Sequence, residues 1–230
     1  MTDHLPVLLV VVPLVAAPIA ALLNHPRLSW AVAVAATLWA LYAALELLSQ
    51  TMAAGAIHYE LGGWAAPYGI EYVVDPLNAW VVVIVTLIGA LVAPYARVSV
   101  EREITEDRIP LFYAAFILCL TGLLGIAVTG DVFNVFVFLE ISSLSAYALI
   151  ALGSDRRALT ASFQYLIMGS VGATFIVIGI GLMYVMTGTL NMADLADPLH
   201  TQSHRVRPNL LVHSESLRQP WSVKATLGRH

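Results

Sequence analysis

The chain has 230 residues, of which 59% are hydrophobic and 11% charged, with a mean hydropathy of +0.81 and a formal net charge of −4. A water-soluble domain carries about 25% charged residues, so this composition excludes a soluble enzyme or nucleic-acid binder and indicates an all-α integral membrane protein. Charge divides the chain: residues 1–198 hold 14 acids and 6 basic residues, whereas residues 199–230 hold 1 acid and 5 basic residues.

Hydropathy predicts six membrane spans, at about 5–23, 28–48, 77–96, 110–129, 131–152 and 161–187. The first begins without a basic segment, Asp3 and His4 being its flanking ionisable residues, and reads as an uncleaved span kinked at Pro13 and Pro18. Glu46, within a turn of the second span's end, reads as an interfacial acid. Arg27, Arg97, Arg102, Arg108, Arg156 and Arg157 all fall in the first, third and fifth connections; the second and fourth carry no Lys or Arg. Basic residues mark the cytoplasmic side, which predicts an outside N-terminus.

The second connection has a strand pattern. Ile57, Tyr59 and Leu61 alternate with polar or small residues, Gly62-Gly63 and Pro67-Tyr68-Gly69 supply turn chemistry, and Ile70, Tyr72 and Val74 alternate again. This predicts a short extracytoplasmic β-hairpin between helices 2 and 3. Its His58, Glu60, Glu71 and Asp75 read as a solvated acidic rim in preference to a metal site. Cys119, the single cysteine, lies in the fourth span and reads as a small buried hydrophobe.

The fifth span, GDVFNVFVFLEISSLSAYALIAL at residues 130–152, holds one acid, Glu140. With Asp131 as N-cap, nine residues at about 1.5 Å each place Glu140 roughly 13 Å deep, near the middle of a hydrocarbon core about 30 Å thick. An acid at that depth costs about 2.5 to 3.5 kcal/mol, so it must be neutral, paired or facing a polar cavity. Ser143 and Tyr147 share its side of the helix and are candidate hydroxyl partners. Two readings stay open: a member of an ion pathway, or a protonated acid locked by hydroxyls as helix glue. In the sixth span Gly169 and Ala173 form a small-xxx-small pair; with Gly172, Gly179 and Gly181 they predict a face for close helix packing. Gln164 and Thr174 are expected to hydrogen-bond between helices. After Leu195 the pattern breaks, and the basic tail at 199–230, which includes His200 and His204, is expected to be disordered.

Three stretches carry a family resemblance: YELGGWAAPYGIEYVVDPLNAW, TGDVFNVFVFLEISSLSAYALIALG and ALTASFQYLIMGSVGATFIVIGIGLMYVMTGTLNMADLA. In order and spacing, over about residues 1–198, they resemble the D subunit of Mrp-type monovalent cation/proton antiporters. More broadly they resemble the antiporter-like membrane subunits of respiratory complex I and membrane-bound hydrogenases. The resemblance implies that Glu140 is the family's fifth-helix glutamate in a central proton path, where its charge pairs with a lysine on a seventh helix. That lysine-bearing helix follows GTLNMADLA in the family. Here the one lysine is Lys224, in a polar setting, and the role is not carried over to it. The switch near Pro198 reads as a frameshift or premature end, which makes 1–198 the membrane domain of an apparently truncated chain. The implied function is that of a proton-conducting subunit of a multisubunit sodium/proton antiporter in a bacterial plasma membrane, here as an incomplete copy. Its implied partners are other membrane subunits, protons, monovalent cations such as Na+, and the lipid bilayer. Alternatives are a proton-pumping membrane subunit of a complex I-like or hydrogenase-like oxidoreductase, and a non-conducting scaffold. A cysteine cluster, a Gly-rich nucleotide loop and a haem-ligand pair are all missing from the sequence, so no cofactor, metal or catalytic residue is expected.

Overall fold

A computed structural model describes residues 4–64 and 69–196. Two sequence signals set where its helices start. Proline sits in the first turn of α1 (Leu5–Leu22), α2 (Pro26–Ala54), α3 (Pro76–Glu103) and α4 (Ile109–Val128), where its missing N–H is no loss. Aspartate caps α3, α5 (Val132–Ala151) and α6 (Arg156–Thr187). The Asp75, Asp131 and Asp155 carboxylates accept from the backbone N–H groups of Asn78, Asn134 and Arg157 at 2.7, 2.8 and 2.9 Å. A short α7 (Met192–Ala196) follows.

The six helices α1 to α6 are long and apolar enough to cross a membrane. Three exceed their expected spans: α2 continues to Ala54, α3 to Glu103, and α6 begins at Arg156. Hydropathy marks only the lipid-immersed turns, whereas a helix continues through the interface while its residues still favour one. The arginines of the described chain lie at one end of the bundle, and at the other β1 (Ile57–Glu60) pairs antiparallel with β2 (Glu71–Val74). The register is Ile57↔Val74, His58↔Val73, Tyr59↔Tyr72 and Glu60↔Glu71. The first strand stops short of Leu61, because a tight turn at Leu61–Gly63 takes over with Gly62 at φ 70°.

Two apolar clusters fill the bundle. At the hairpin end Leu9 and Val10 of α1, Leu47 of α2, Val82 of α3, Leu124 and Val128 of α4 and Val74 of β2 pack together. Toward the arginine end Ala17, Ala20, Ala33 and Ala36 let α1 and α2 approach closely beside Tyr113 and Ile117 of α4. Helix α4 is central, touching α1, α2, α3 and α5, while α6 packs chiefly on α5. Two buried threonine hydroxyls bond back into their own helices, Thr86 to the Val82 carbonyl and Thr121 to that of Ile117, both at 2.8 Å.

Candidate functional site

Helix α5 is held against α4 by glycine. A methyl group on Gly122 would lie 2.7 Å from the Phe138 carbonyl oxygen and equally close to Ser142, and the Phe138 ring lies over Gly125. Ser142 also meets the Cys119 thiol at 3.7 Å, which leaves that cysteine half-buried between two helices. Phe138, Ser142 and Ser145 thus form the face of α5 turned to α4, Ser145 being satisfied by the Ile141 carbonyl at 2.6 Å.

Glu140 follows Phe138 by two residues, about 200° round a helix of 3.6 residues per turn. Its carboxyl therefore leaves α5 on the side away from α4, where it is half-buried. Eight residues separate it from the first residue of α5, about 12 Å of helix. Neither expected hydroxyl reaches it: among the described residues Ser143 and Tyr147 make no hydrogen bond to Glu140. Tyr147 is two turns away and committed elsewhere. Its hydroxyl end lies over Gly169 of α6, its ring meets Tyr165 edge-on at 5.3 Å, and its carbonyl accepts from the Ser162 hydroxyl at 2.7 Å.

The small-residue face of α6 is used in part. Gly169 makes room for Tyr147, and Ala173 is buried, but a methyl group at Gly172, Gly179 or Gly181 would meet nothing within 4 Å. The expected interhelical bond from Thr174 is instead a bond to the Ser170 carbonyl, within α6. Of the most apolar window of α4, 56% is buried, against 17% for α5 and 11% for α6. The Glu140 side of α5 and the glycine side of α6 are therefore surfaces that α1 to α4 do not cover. Glu46 lies at the hairpin end of α2, where the Gln50 amide donates to it at 3.0 Å, in keeping with an interfacial acid. The tail from 197 onward, with His200, His204 and Lys224, lies outside the described residues.

Residues 129–214 match the family described as "NADH:quinone oxidoreductase/Mrp antiporter, TM". The N subunit of the NADH-quinone oxidoreductase of Desulforudis audaxviator is 44% identical over 199 residues, 85% of this chain and 39% of that protein. The D subunit of the Na(+)/H(+) antiporter of Bacillus subtilis is 40% identical over 136 residues, 59% of this chain and 27% of that protein. The membrane-bound sulfane sulfur reductase, an archaeal respiratory membrane complex, contains a chain that superposes with a TM-score of 0.78 at 33% identity, covering 86% of this chain and 42% of its own length. The chain is thus similar to members of the NADH:quinone oxidoreductase/Mrp antiporter family, whose model it matches over residues 129–214. It spans about two fifths or less of the length of the curated relatives it matches.

The hairpin end of α5 is knitted to two other segments, and sequence reasoning missed the residues that do it. The Gly130 N–H donates to the Glu71 carbonyl of β2 at 2.8 Å, Val132 N–H to the Leu190 carbonyl at 2.9 Å, and Met192 N–H to the Gly130 carbonyl at 2.8 Å. Thr129 pairs with Tyr72, and Asp131 with Asn191. The Thr129 hydroxyl accepts from the Asn134 amide at 3.0 Å, joining the Asp131 cap to the same knot. A methyl group on Gly130 would lie 2.9 Å from Val73, so this contact needs glycine, and the TGD at 129–131 was its local signal. The acidic rim is less solvated than expected: Glu71 is 15% exposed and meets His58 Nδ1 at 2.6 Å.

Proposed function

We propose that the chain is a proton-conducting membrane subunit of a multisubunit sodium/proton antiporter of the Mrp type, multi-pass in a bacterial plasma membrane, with Glu140 in the proton path. The observation that carries this reading is the placement of Glu140: about 12 Å inside an apolar helix and aimed away from the helix that packs its other side. A carboxyl turned into the α4 contact would be helix glue; one turned to the side that α1 to α4 leave open, beside α6, is available to a proton and to a cation carried by structure outside α1–α7. Ser143, one turn from Glu140, and Gly172 and Ala173, between the level of Gly169 and that of Glu140 on antiparallel α6, are assigned to the wall of the same path. A neighbouring positive charge that approaches and withdraws drives the proton off and back on, since Coulomb interactions are strong where water is scarce. The hairpin end, which has no Lys or Arg, faces outward in this reading.

Membership of a complex I-like oxidoreductase forms a second reading, favoured by the 44% identity to an N subunit of that class. In either case any electron chemistry belongs to partner subunits. Glu140→Gln, which keeps shape and removes ionisation, is expected to abolish proton movement in the assembled complex while assembly is unchanged. Unaltered transport by that variant overturns the proton-path reading. Proton flux driven by a sodium gradient supports the antiporter; flux that requires NADH or hydrogen supports the oxidoreductase.

A further inference from the structure

Glu71 stands where a hairpin should not want it. In the β1–β2 register it lies opposite Glu60, and like charges directly across a strand pair are destabilising. The structure eases the conflict by holding the Glu71 carboxylate between His58 of β1 and Asn191 at the bundle end. One oxygen meets His58 Nδ1 at 2.6 Å; the other accepts from the Asn191 side-chain amide at 3.1 Å, across 120 residues of chain. Its backbone carbonyl meanwhile holds Gly130. Asn191 is equally committed: it is 5% exposed, and its side-chain oxygen accepts from the Ala193 and Asp194 N–H groups at 2.9 and 3.2 Å. A residue that breaks a local rule and is repaid by contacts in two distant segments marks a site selected for something other than hairpin stability.

We propose that Glu71 is a positioning residue for Glu140: with Asn191 and Gly130 it forms a strap that fixes the rotation and depth of α5 against the end of α6. The strap stands on its own geometry, and its consequence for transport rests on the proton-path reading of Glu140. Helix α5 starts two residues after Gly130, so slipping by one residue breaks the Gly130, Val132 and Met192 bonds together and swings Glu140 through about 100° with a shift of about 1.5 Å. No side chain nearer to Glu140 needs to change for its proton path to be lost.

A role exchange tests this in the full chain, in its complex. Asn191→Asp places a second carboxylate against Glu71 but keeps the acceptor that caps α7; adding Glu71→Gln restores one donor and one acceptor with their places reversed. Spin labels at the exposed positions 56 and 193, in a Cys119→Ala background, read the distance across the strap. The parent is expected to give one narrow distance. N191D should raise the opened fraction roughly ten-fold or more, as loss of a charge-assisted bond implies, and E71Q/N191D should return the narrow distance. Proton transport should fall and recover in step. An unchanged distance in N191D overturns the strap, and so does a broadened one that E71Q fails to restore. If N191D fails to insert, N191A deletes the bond without adding charge and should broaden the distance with no rescue by E71Q; a narrow distance there counts against the strap. Transport that ignores a strap shown to open, in a complex that E140Q silences, overturns the positioning role and leaves the proton path standing. Transport untouched by E140Q instead removes the proton path and with it the positioning role, whatever the labels report.

Discussion

Tyr72 faces into the hairpin end of the bundle at 4% exposure, and burial pushes its phenol pKa above the usual value, opposed by the Asn134 amide. The folded chain therefore holds this proton at a pH where an unfolded chain has released it. The associated stability is complete below about pH 10, the ordinary tyrosine value, and is lost as pH rises through the higher folded value. Tyr72→Phe is expected to flatten the alkaline loss of thermal stability above about pH 10 in nanodiscs; an alkaline limb identical to the parent's excludes Tyr72 as its source. Individual residues were unevenly legible in the sequence. The Asp131 cap follows a local rule and stands where it was expected. Glu71 was assigned to a solvated rim because its partner Asn191 is 120 residues away, and no periodicity relates the two. Tyr147 is expected from helical spacing to partner Glu140, but which neighbour takes a side chain is decided by tertiary packing, and that neighbour is Gly169.

At the scale of elements, the tight helix contact is α4 on α5. The sequence pattern pointed to α6, where glycines are most numerous, although Gly122 and Gly125 offered the same signal three residues apart in α4. A small residue reports that a helix can be approached, not which helix approaches it. The contrast is measurable. Gly122→Ala puts a methyl group against backbone atoms of α5 that cannot yield, and is expected to cost about 1 to 3 kcal/mol in thermal unfolding. Gly172→Ala meets open space and should be neutral or gain about 0.5 to 1 kcal/mol from helix propensity. Equal effects of the two would mean that α4 and α5 are not in contact at Gly122. Helix number and hairpin were legible because lipid forces every spanning segment to advertise itself by hydropathy, and a half-covered strand pair by alternation. Helix ends were not, since turns beyond the hydrocarbon carry no such constraint, as the continuations of α2 and α3 show.

For the whole molecule, the arginines at one end and the hairpin at the other set a single orientation. A membrane-impermeant thiol reagent applied to intact cells is expected to label Ala56→Cys and to reach Thr105→Cys only after permeabilisation, both in the Cys119→Ala background. The reverse pattern would invert the orientation and move the strap to the cytoplasm. The four helices α1 to α4 form the better-buried body, with α5 and α6 added along one flank.

The strap also dates itself. Its two halves leave the ribosome 120 residues apart, so at about 5 to 20 residues per second the Glu71 segment waits roughly 6 to 24 s for Asn191 to exist. During that interval further membrane spans are made, and the hairpin is already committed to its side of the bilayer without the partner that completes it. The hairpin is thus an early arrival whose final fastening reports that the sixth helix has inserted.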